Sequence, residues 1–302
     1  MSAQNSVQPV IGVIGGSGLY EIEGLQNKEW RVCETPWGTP SDALLFGTLE
    51  GVQCVFLPRH GRGHPLPPSR LNYRANIDAL KRAGVTDILS LSAVGSLKEE
   101  LAPGTFVIVD QFIDQTQGRP RTFFEEGCVA HVSMAEPVSA RLGKALADAA
   151  EEEGIKVSRG GTYVVIEGPQ FSTRAESELY RSWNGAVIGM TNMPEARLAR
   201  EAEMNYATVA MVTDYDCWHD SHGDVTVDMV VAAMKENTRK AAALVRRAIP
   251  RLGKERPLDK AERALDNAII TPPDARRPDM LARLDAVAGR VLGLADSDWG
   301  PY

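Results

Sequence analysis

Short apolar runs alternating with amphipathic helical stretches along most of the chain constrain its fold more than any single motif. Val10–Ile14, Asp87–Leu91, Phe106–Asp110, Gly161–Ile166, Ala186–Gly189 and the run from Val209 to Thr213 read as strands. Between and beyond them, Asn72–Ala83, Val138–Glu152, Ala196–Glu203 and Thr226–Arg247 read as helices, the first with Lys81-Arg82 at the end where cations suit the dipole. Ala43–Leu49 and Gln53–Leu57 add a hairpin turning at Glu50-Gly51. Such alternation predicts a single α/β domain with a mixed central β-sheet flanked by helices. The domain is expected over residues 1–251. Residues 252–302, charged and carrying Pro257, Pro272, Pro273 and Pro278, read as a C-terminal extension with one short helix at Leu281–Leu292, suited to packing on a neighbour.

The chain of 302 residues is long enough for a sizeable core, and its net charge of −7 argues against a nucleic-acid or anionic-membrane surface. Small anionic substrates remain open, because a few local donors suffice for them. Cys33, Cys54, Cys128 and Cys217 are scattered with no C-x-x-C pair, which disfavours zinc and disulfides and suits a reducing compartment. The N-terminal stretch lacks the pattern of a signal peptide, and no apolar run nears membrane-spanning length, so a cytoplasmic protein is expected.

Candidate ligand groups gather where strands end. Val10–Ile14 runs into G-G-S-G-L, where glycines let backbone N–H groups approach an anion and Ser17 adds a hydroxyl. This is neither a dinucleotide fingerprint, since Glu21 stands where the third glycine belongs, nor a Walker A loop. Gln53–Leu57 ends in P-R-H-G-R-G-H-P, whose Arg59, His60, Arg62 and His64 repel one another unless an anion or an acid offsets them. Arg59 and His60, next to the strand, are the stronger ligand candidates, with Arg62 and His64 at the rim. Asp87–Leu91 ends in S-A-V-G-S-L, a third strand end offering hydroxyls. The loop Gln115–Glu126, rich in Arg, Thr and Phe, is expected at a surface or subunit contact. After Ile166 comes E-G-P-Q-F-S-T-R-A-E, in which Phe171 can stack on a ring and Ser172 can cap the helix beginning near Arg174.

The run ending at Thr213 delivers Asp214 and Asp216 in V-T-D-Y-D-C-W. On extended backbone, acids at i and i+2 point the same way and can converge on one ligand; a solvated turn fits the spacing equally well. An anion site beside carboxylates that accept hydrogen bonds, with Phe and Met for a flat ring, suits a purine nucleoside and phosphate. Breaking a base–sugar bond passes through an oxocarbenium-like state, which gains from a nearby anion and from protonation of the departing base.

G-G-S-G-L, P-R-H-G-R, N-Y-R-A-N-I, S-A-V-G-S-L, D-Q-F-I-D, S-M-A-E-P, I-E-G-P-Q-F-S-T-R-A-E-S and V-T-D-Y-D-C-W, in that order, resemble the 5′-methylthioadenosine phosphorylases of the trimeric purine nucleoside phosphorylase family. The resemblance runs from Ile11 to Lys240, and residues beyond Arg251 lie outside it. It implies phosphorolysis of methylthioadenosine, with phosphate as co-substrate and neither cofactor nor metal. Ser17, Arg59, His60, Ser92 and Thr191 would bind phosphate, with the Ala93 backbone beside them. Met190 would contact the ribose and Phe171 the base. Asp214 and Asp216 would hold N7 and the 6-amino group, and together with His60 they are the candidate catalytic groups. Val227 and Val230 would line the pocket for the 5′-methylthio group. His131, in A-H-V-S-M-A-E-P, would reach the nucleoside of an adjacent subunit, implying a homotrimer.

Three departures stand out. Ser17 and Ser92 replace the Thr of many members, Gly189 replaces the Asn of mammalian members, and His219 and His222 are additional donors. An acid at the base edge accepts from a 6-amino group and repels a 6-oxo group, so adenine is expected over hypoxanthine. The other readings are a 6-oxopurine or methylthioinosine phosphorylase, a nucleoside hydrolase that needs no phosphate, and a nucleoside-binding protein without turnover.

Overall fold

The computed structural model describes residues 8–16, 18–219, 227–253 and 257–294, with side chains described from residue 233 onward in the third stretch. Ser17, His222, Val227 and Val230 therefore lie, in whole or in their side chains, outside the described residues.

The strands are β1 (Ile11–Gly15), β2 (Gln26–Arg31), β3 (Leu44–Leu49), β4 (Val52–Pro58), β5 (Asp87–Ser96), β6 (Phe106–Ile108), β7 (Gln111–Gln115), β8 (Val157–Arg159), β9 (Thr162–Ile166), β10 (Val187–Gly189) and β11 (Asn205–Asp214). Helices α1 (Tyr73–Arg82), α2 (Ala140–Glu152), α3 (Arg174–Ser182), α4 (Asn192–Glu201), α5 (Val227–Leu252), α6 (Pro278–Arg283) and α7 (Asp285–Leu292) connect or follow them. The sheet runs β2-β3-β4-β1-β5-β10-β9-β7, with β11 on β5 and β6, and β8 on β6. Its pairing is mixed, as expected: β1/β4, β1/β5, β5/β11 and β9/β10 are parallel, whereas β3/β4, β5/β10 and β6/β11 are antiparallel.

Helices cover both faces, which is why the central strands are apolar throughout rather than alternating. Along β5 and β11, Ile88, Tyr206 and Ala210 enter the layer with α1, α4 and α7, while Leu89, Leu91, Val209 and Met211 enter the layer with α2 and α5. The exposed β2, with the sequence Q-N-K-E-W-R, and the short β7 and β8 carry no such signal and escape a hydrophobicity reading.

Strand β5 creates the space for a ligand. It runs unbroken through Ser96, so Ser92 and Ala93, expected just beyond a strand end, lie within it. Along one edge it pairs with β11 from Asp87 to Gly95. Along the other, β1 leaves after Ser90 and β10 joins only at Gly95. Residues 91–94 thus have no strand on that edge, and parallel sheets bind ligands where strand order switches in this way.

Helix ends follow local chemistry. Asn72 caps α1 by accepting from the Ala75 N–H, and Ser139 caps α2 by accepting from Leu142. Thr173, not Ser172, caps α3, because Glu176 three residues on completes a reciprocal capping box with it. Helix α4 starts at Asn192, earlier than its periodicity suggests, with non-helical backbone at Met193.

The C-terminal segment is no extended appendage. It forms two helices rather than one, and Met280, Leu284, Val287 and Ala288 are buried in the core layer shared with α1 and α4. Arg290 reaches back to Glu203 at 2.6 and 2.7 Å, and Asp285 pairs with Arg82 of α1. Leu284→Ala removes a fully buried side chain and is expected to destabilise the protein by about 2–5 kcal/mol. Thermal unfolding checks this: an unchanged midpoint of the main transition would mean that the segment folds apart from the body.

Among the described residues no helix is long and apolar enough to cross a membrane, and all four cysteines are free.

Candidate active site

A cavity of about 300 Å³ opens along the unpaired edge of β5. Of the sequence candidates, Arg59, His60, Ser92, Ala93, Phe171, Met190, Thr191, Asp214 and Asp216 line it, with Gly16 beside the position of Ser17. His64 lines it as well, whereas Arg62 does not. His131 is exposed and away from it, on a short bridge to residues near Ile269, so within one chain it contributes nothing to this cavity.

One side is built of donors. The Arg59 N–H donates to the Gly15 carbonyl at 2.9 Å, tying the ends of β1 and β4 together. The Arg59 guanidinium is buried, with Nε 2.8 Å from Glu195 Oε2 and Nη2 3.2 Å from Oε1. Nη2 also donates to Ser90 Oγ at 2.6 Å, and Nη1 to the Leu91 carbonyl at 2.9 Å. A guanidinium has five N–H groups, so one hydrogen of Nη1 remains for a ligand. Burial opposes the Arg59 charge, and the Glu195 carboxylate more than compensates, raising its pKa further. Arg62 is held by Asp42 at 2.9 and 3.0 Å. Acids of the chain itself therefore relieve the repulsion in P-R-H-G-R-G-H-P.

His60 is neutral, since burial and then the Arg59 charge push its pKa down to about 4. Its Nδ1 lies 2.8 Å from the Leu66 carbonyl and must carry the proton, so Nε2 presents a lone pair. The His64 ring stacks on it at 4.2 Å. Ser92 Oγ is 3.0 Å from both Thr191 Oγ1 and the Tyr163 hydroxyl.

The opposite side is acidic. Asp214 closes β11, and Asp216 follows not on extended strand but in the left-handed region at φ +54°. A turn makes the two acids converge: the Asp216 N–H donates to Asp214 Oδ1 at 2.8 Å, and Thr213 Oγ1 donates to Oδ2 at 2.6 Å. Strand alternation gives the wrong reason for their proximity. Gly95 makes room for them, since a Cβ there would stand 2.9 Å from Asp214 Oδ1. Burial raises both carboxyls, and for Asp216 burial with the Asp214 charge behind it brings the pKa to about 6. Ile188, Met211 and Met234 provide apolar wall between the two sides, and half-exposed Phe171 stands at the mouth. Among the described residues no group of three or more His, Cys, Asp or Glu is placed to hold a metal ion.

Several supporting residues escape sequence reasoning. Glu195 and Ser90 fix Arg59, and Tyr163 joins the hydroxyls. The loop Gln115–Glu126 lies at the surface, as expected, with Gln115, Gln117, Gly118, Pro120, Arg121 and Glu126 exposed, but it also sends side chains inward. Phe123 and Arg119 are buried, and Arg119 donates to the Tyr73 hydroxyl and to the carbonyls of Met190, Met193 and Glu167 at 2.7–2.9 Å. It thereby holds the chain on both sides of the cavity mouth. It also pairs with the Glu167 carboxylate at 3.0 Å; these partners lie in distant segments, which no local pattern of side chains announces. His219 stacks on Tyr215 and meets Glu99 at 3.1 Å, outside the cavity.

A donor-lined wall facing buried acids across an apolar slot, at the switch point of a mixed sheet, has the chemistry to suit a nucleoside beside an anion. The model of the phosphorylase superfamily matches residues 10–250, and the chain belongs to that family. It is 62% identical over 289 residues to the S-methyl-5′-thioadenosine phosphorylase of Rhodospirillum rubrum, covering 95% of this chain and 98% of the relative. It is 60% identical to the protein of that name from Bradyrhizobium diazoefficiens, over 94% of this chain and 99% of the relative. Among solved structures it is similar to a methylthioadenosine phosphorylase from an Antarctic soil metagenomic library, with a TM-score of 0.89 and 47% identity over 93% of this chain and 99% of the other. The Schistosoma mansoni methylthioadenosine phosphorylase in complex with adenine gives a TM-score of 0.82 at 38% identity, over 86% and 99% of the chains.

Proposed function

We propose that the chain is a pentosyltransferase that cleaves 5′-methylthioadenosine with phosphate, yielding adenine and 5-methylthioribose 1-phosphate. The observation that carries this reading is the two-sided cavity, with donors on one wall and the Asp214–Asp216 pair on the other. High identity to phosphorylases of that name over nearly the whole chain supports the same substrate.

In this mechanism phosphate sits against the free Nη1 hydrogen of Arg59 and the hydroxyls of Ser92 and Thr191. Gly16, Ser17 and the Ala93 backbone complete the cradle, and the Nε2 lone pair of His60 accepts from a protonated phosphate oxygen. Met190 packs on the ribose and Phe171 on the base. As the C1′–N9 bond lengthens, positive charge on the ribosyl group is stabilised by the phosphate, whose oxygen then bonds C1′. The acid pair shares or donates a proton to N7 so that adenine leaves neutral. It also accepts from the 6-amino group, which excludes a 6-oxo group. Val227 and Val230 line the 5′-methylthio pocket, and His131 acts in the site of an adjacent subunit of a homotrimer. Phosphate is a co-substrate, no cofactor takes part, and the enzyme works in the cytoplasm.

Adenine release from methylthioadenosine, measured with and without phosphate, tests the reading. Release is expected to require phosphate and to be at least tenfold slower for methylthioinosine. Phosphate-independent release would make the protein a hydrolase, and equal turnover of the 6-oxo substrate would remove the acids from the base edge.

A further inference from the structure

We infer that Tyr163 is a positioning residue of the anion cradle: its hydroxyl, in space left by Gly189, aims the Ser92 hydroxyl at the bound anion. The inference rests on the proposed reading of that wall as the phosphate site.

Strands β9 and β10 are parallel with Tyr163 opposite Val187, and the Tyr163 ring leans along the sheet beneath Gly189. A Cβ on Gly189 would stand 2.8 Å from Tyr163 Cζ and closer still to its hydroxyl. The Gly189 backbone is outside the left-handed region, so the glycine serves space rather than conformation. A larger residue here and a tyrosine at 163 exclude one another. The side chain absent at 189 is thus replaced by a phenol arriving from the neighbouring strand.

That phenol is fully buried, 3.0 Å from Ser92 Oγ, with Thr191 also close beside it. Burial holds its pKa above the ordinary tyrosine value, so it keeps its proton. Counting protons fixes the direction of the network. Each hydroxyl has one hydrogen to give and lone pairs to accept with. A phosphate oxygen takes the hydrogens of both Ser92 and Thr191, which leaves Ser92 Oγ in need of a donor. Tyr163 is the hydroxyl in range that does not line the cavity and so keeps its hydrogen for this purpose. Without it, the Ser92 hydroxyl loses that partner and can turn to the Ala93 carbonyl, 3.3 Å away. A network in which every member is satisfied holds one orientation, and a partly satisfied one does not.

Tyr163→Phe keeps the ring and removes the hydroxyl. We expect the KM for phosphate to rise roughly 5–20-fold, as for loss of one buried hydrogen bond, with the KM for methylthioadenosine within about twofold. In a Ser92→Ala background the same change should add less than about twofold, because the hydroxyl it aims is gone. An unchanged phosphate KM, an undiminished effect in the Ser92→Ala background, or equal losses for both substrates would overturn the inference. Failure of the site reading looks different: Ser92→Ala and Thr191→Val would themselves leave the phosphate KM unchanged.

Discussion

Asp216→Asn is expected to lower kcat/KM on methylthioadenosine by about 10²–10⁴-fold and, at neutral pH, to make the protein more stable. The two effects have one cause. Asp216 is buried beside Asp214, and its carboxyl moves from an ordinary value of 3.8 to about 6 on folding. A raised carboxyl costs the folded state nothing while protonated in both states, below about pH 4. The cost grows as pH rises through 4–6 and is complete above that, at on the order of 2–3 kcal/mol. Asparagine carries no such cost and cannot supply the proton. Denaturant unfolding at pH 7.5 should therefore show the variant ahead of the parent, with the gain vanishing near pH 4. The kcat/KM profile of the parent should fall on its alkaline side as the shared proton is lost, and the variant should lack that limb. A variant less stable than the parent at pH 7.5 would mean that Asp216 is held by favourable contacts rather than strained for function.

Arg59→Met should cost more stability than any surface change, because it strands a charge. Glu195 is 1% exposed and its carboxylate is bonded to Arg59 at 2.8 and 3.2 Å. Removing one partner of a buried pair typically costs about 3–5 kcal/mol, chiefly by leaving the other uncompensated. The double variant Arg59→Met/Glu195→Leu removes both charges and is expected to recover at least half of the loss. Activity should not follow stability. Both variants lack the free Nη1 hydrogen, and a hydrogen bond to a charged group is worth about 1.5–3 kcal/mol, so kcat/KM for phosphate should stay roughly 10–150-fold down in each. Urea unfolding and phosphate-saturation kinetics on the pair of variants separate the two roles. Recovery of phosphate use in the double variant would show that Arg59 serves only the core.

The two experiments touch opposite walls, and both walls depend on residues whose meaning is only spatial. Arg59 is legible because a cation beside a strand end is unusual; Glu195, 136 residues further on, reads in the sequence as an ordinary acid just before a helix. Asp214 and Asp216 were legible as a pair, but alternation on a strand does not unite them. The chain turns after Asp214, and the left-handed Asp216 sends its N–H back to it. Arg119, in a loop expected at the surface, anchors the cavity mouth, because the Glu167 carboxylate, the Tyr73 hydroxyl and carbonyls of distant segments all accept from it.

What the sequence by itself determined is the α/β class, the hairpin, most helices, and many of the side chains that line the cavity. These follow from the period of apolar residues and from short-range hydrogen bonding, which act over a few residues. Tertiary structure alone decided that β5 runs on past Ser92 with one edge open, that the C-terminal helices close the core over α1, and that the Tyr163 ring occupies the space beside Gly189. Those outcomes depend on which surfaces meet and which volumes exclude one another between segments far apart in the chain, and a one-dimensional pattern does not carry that information.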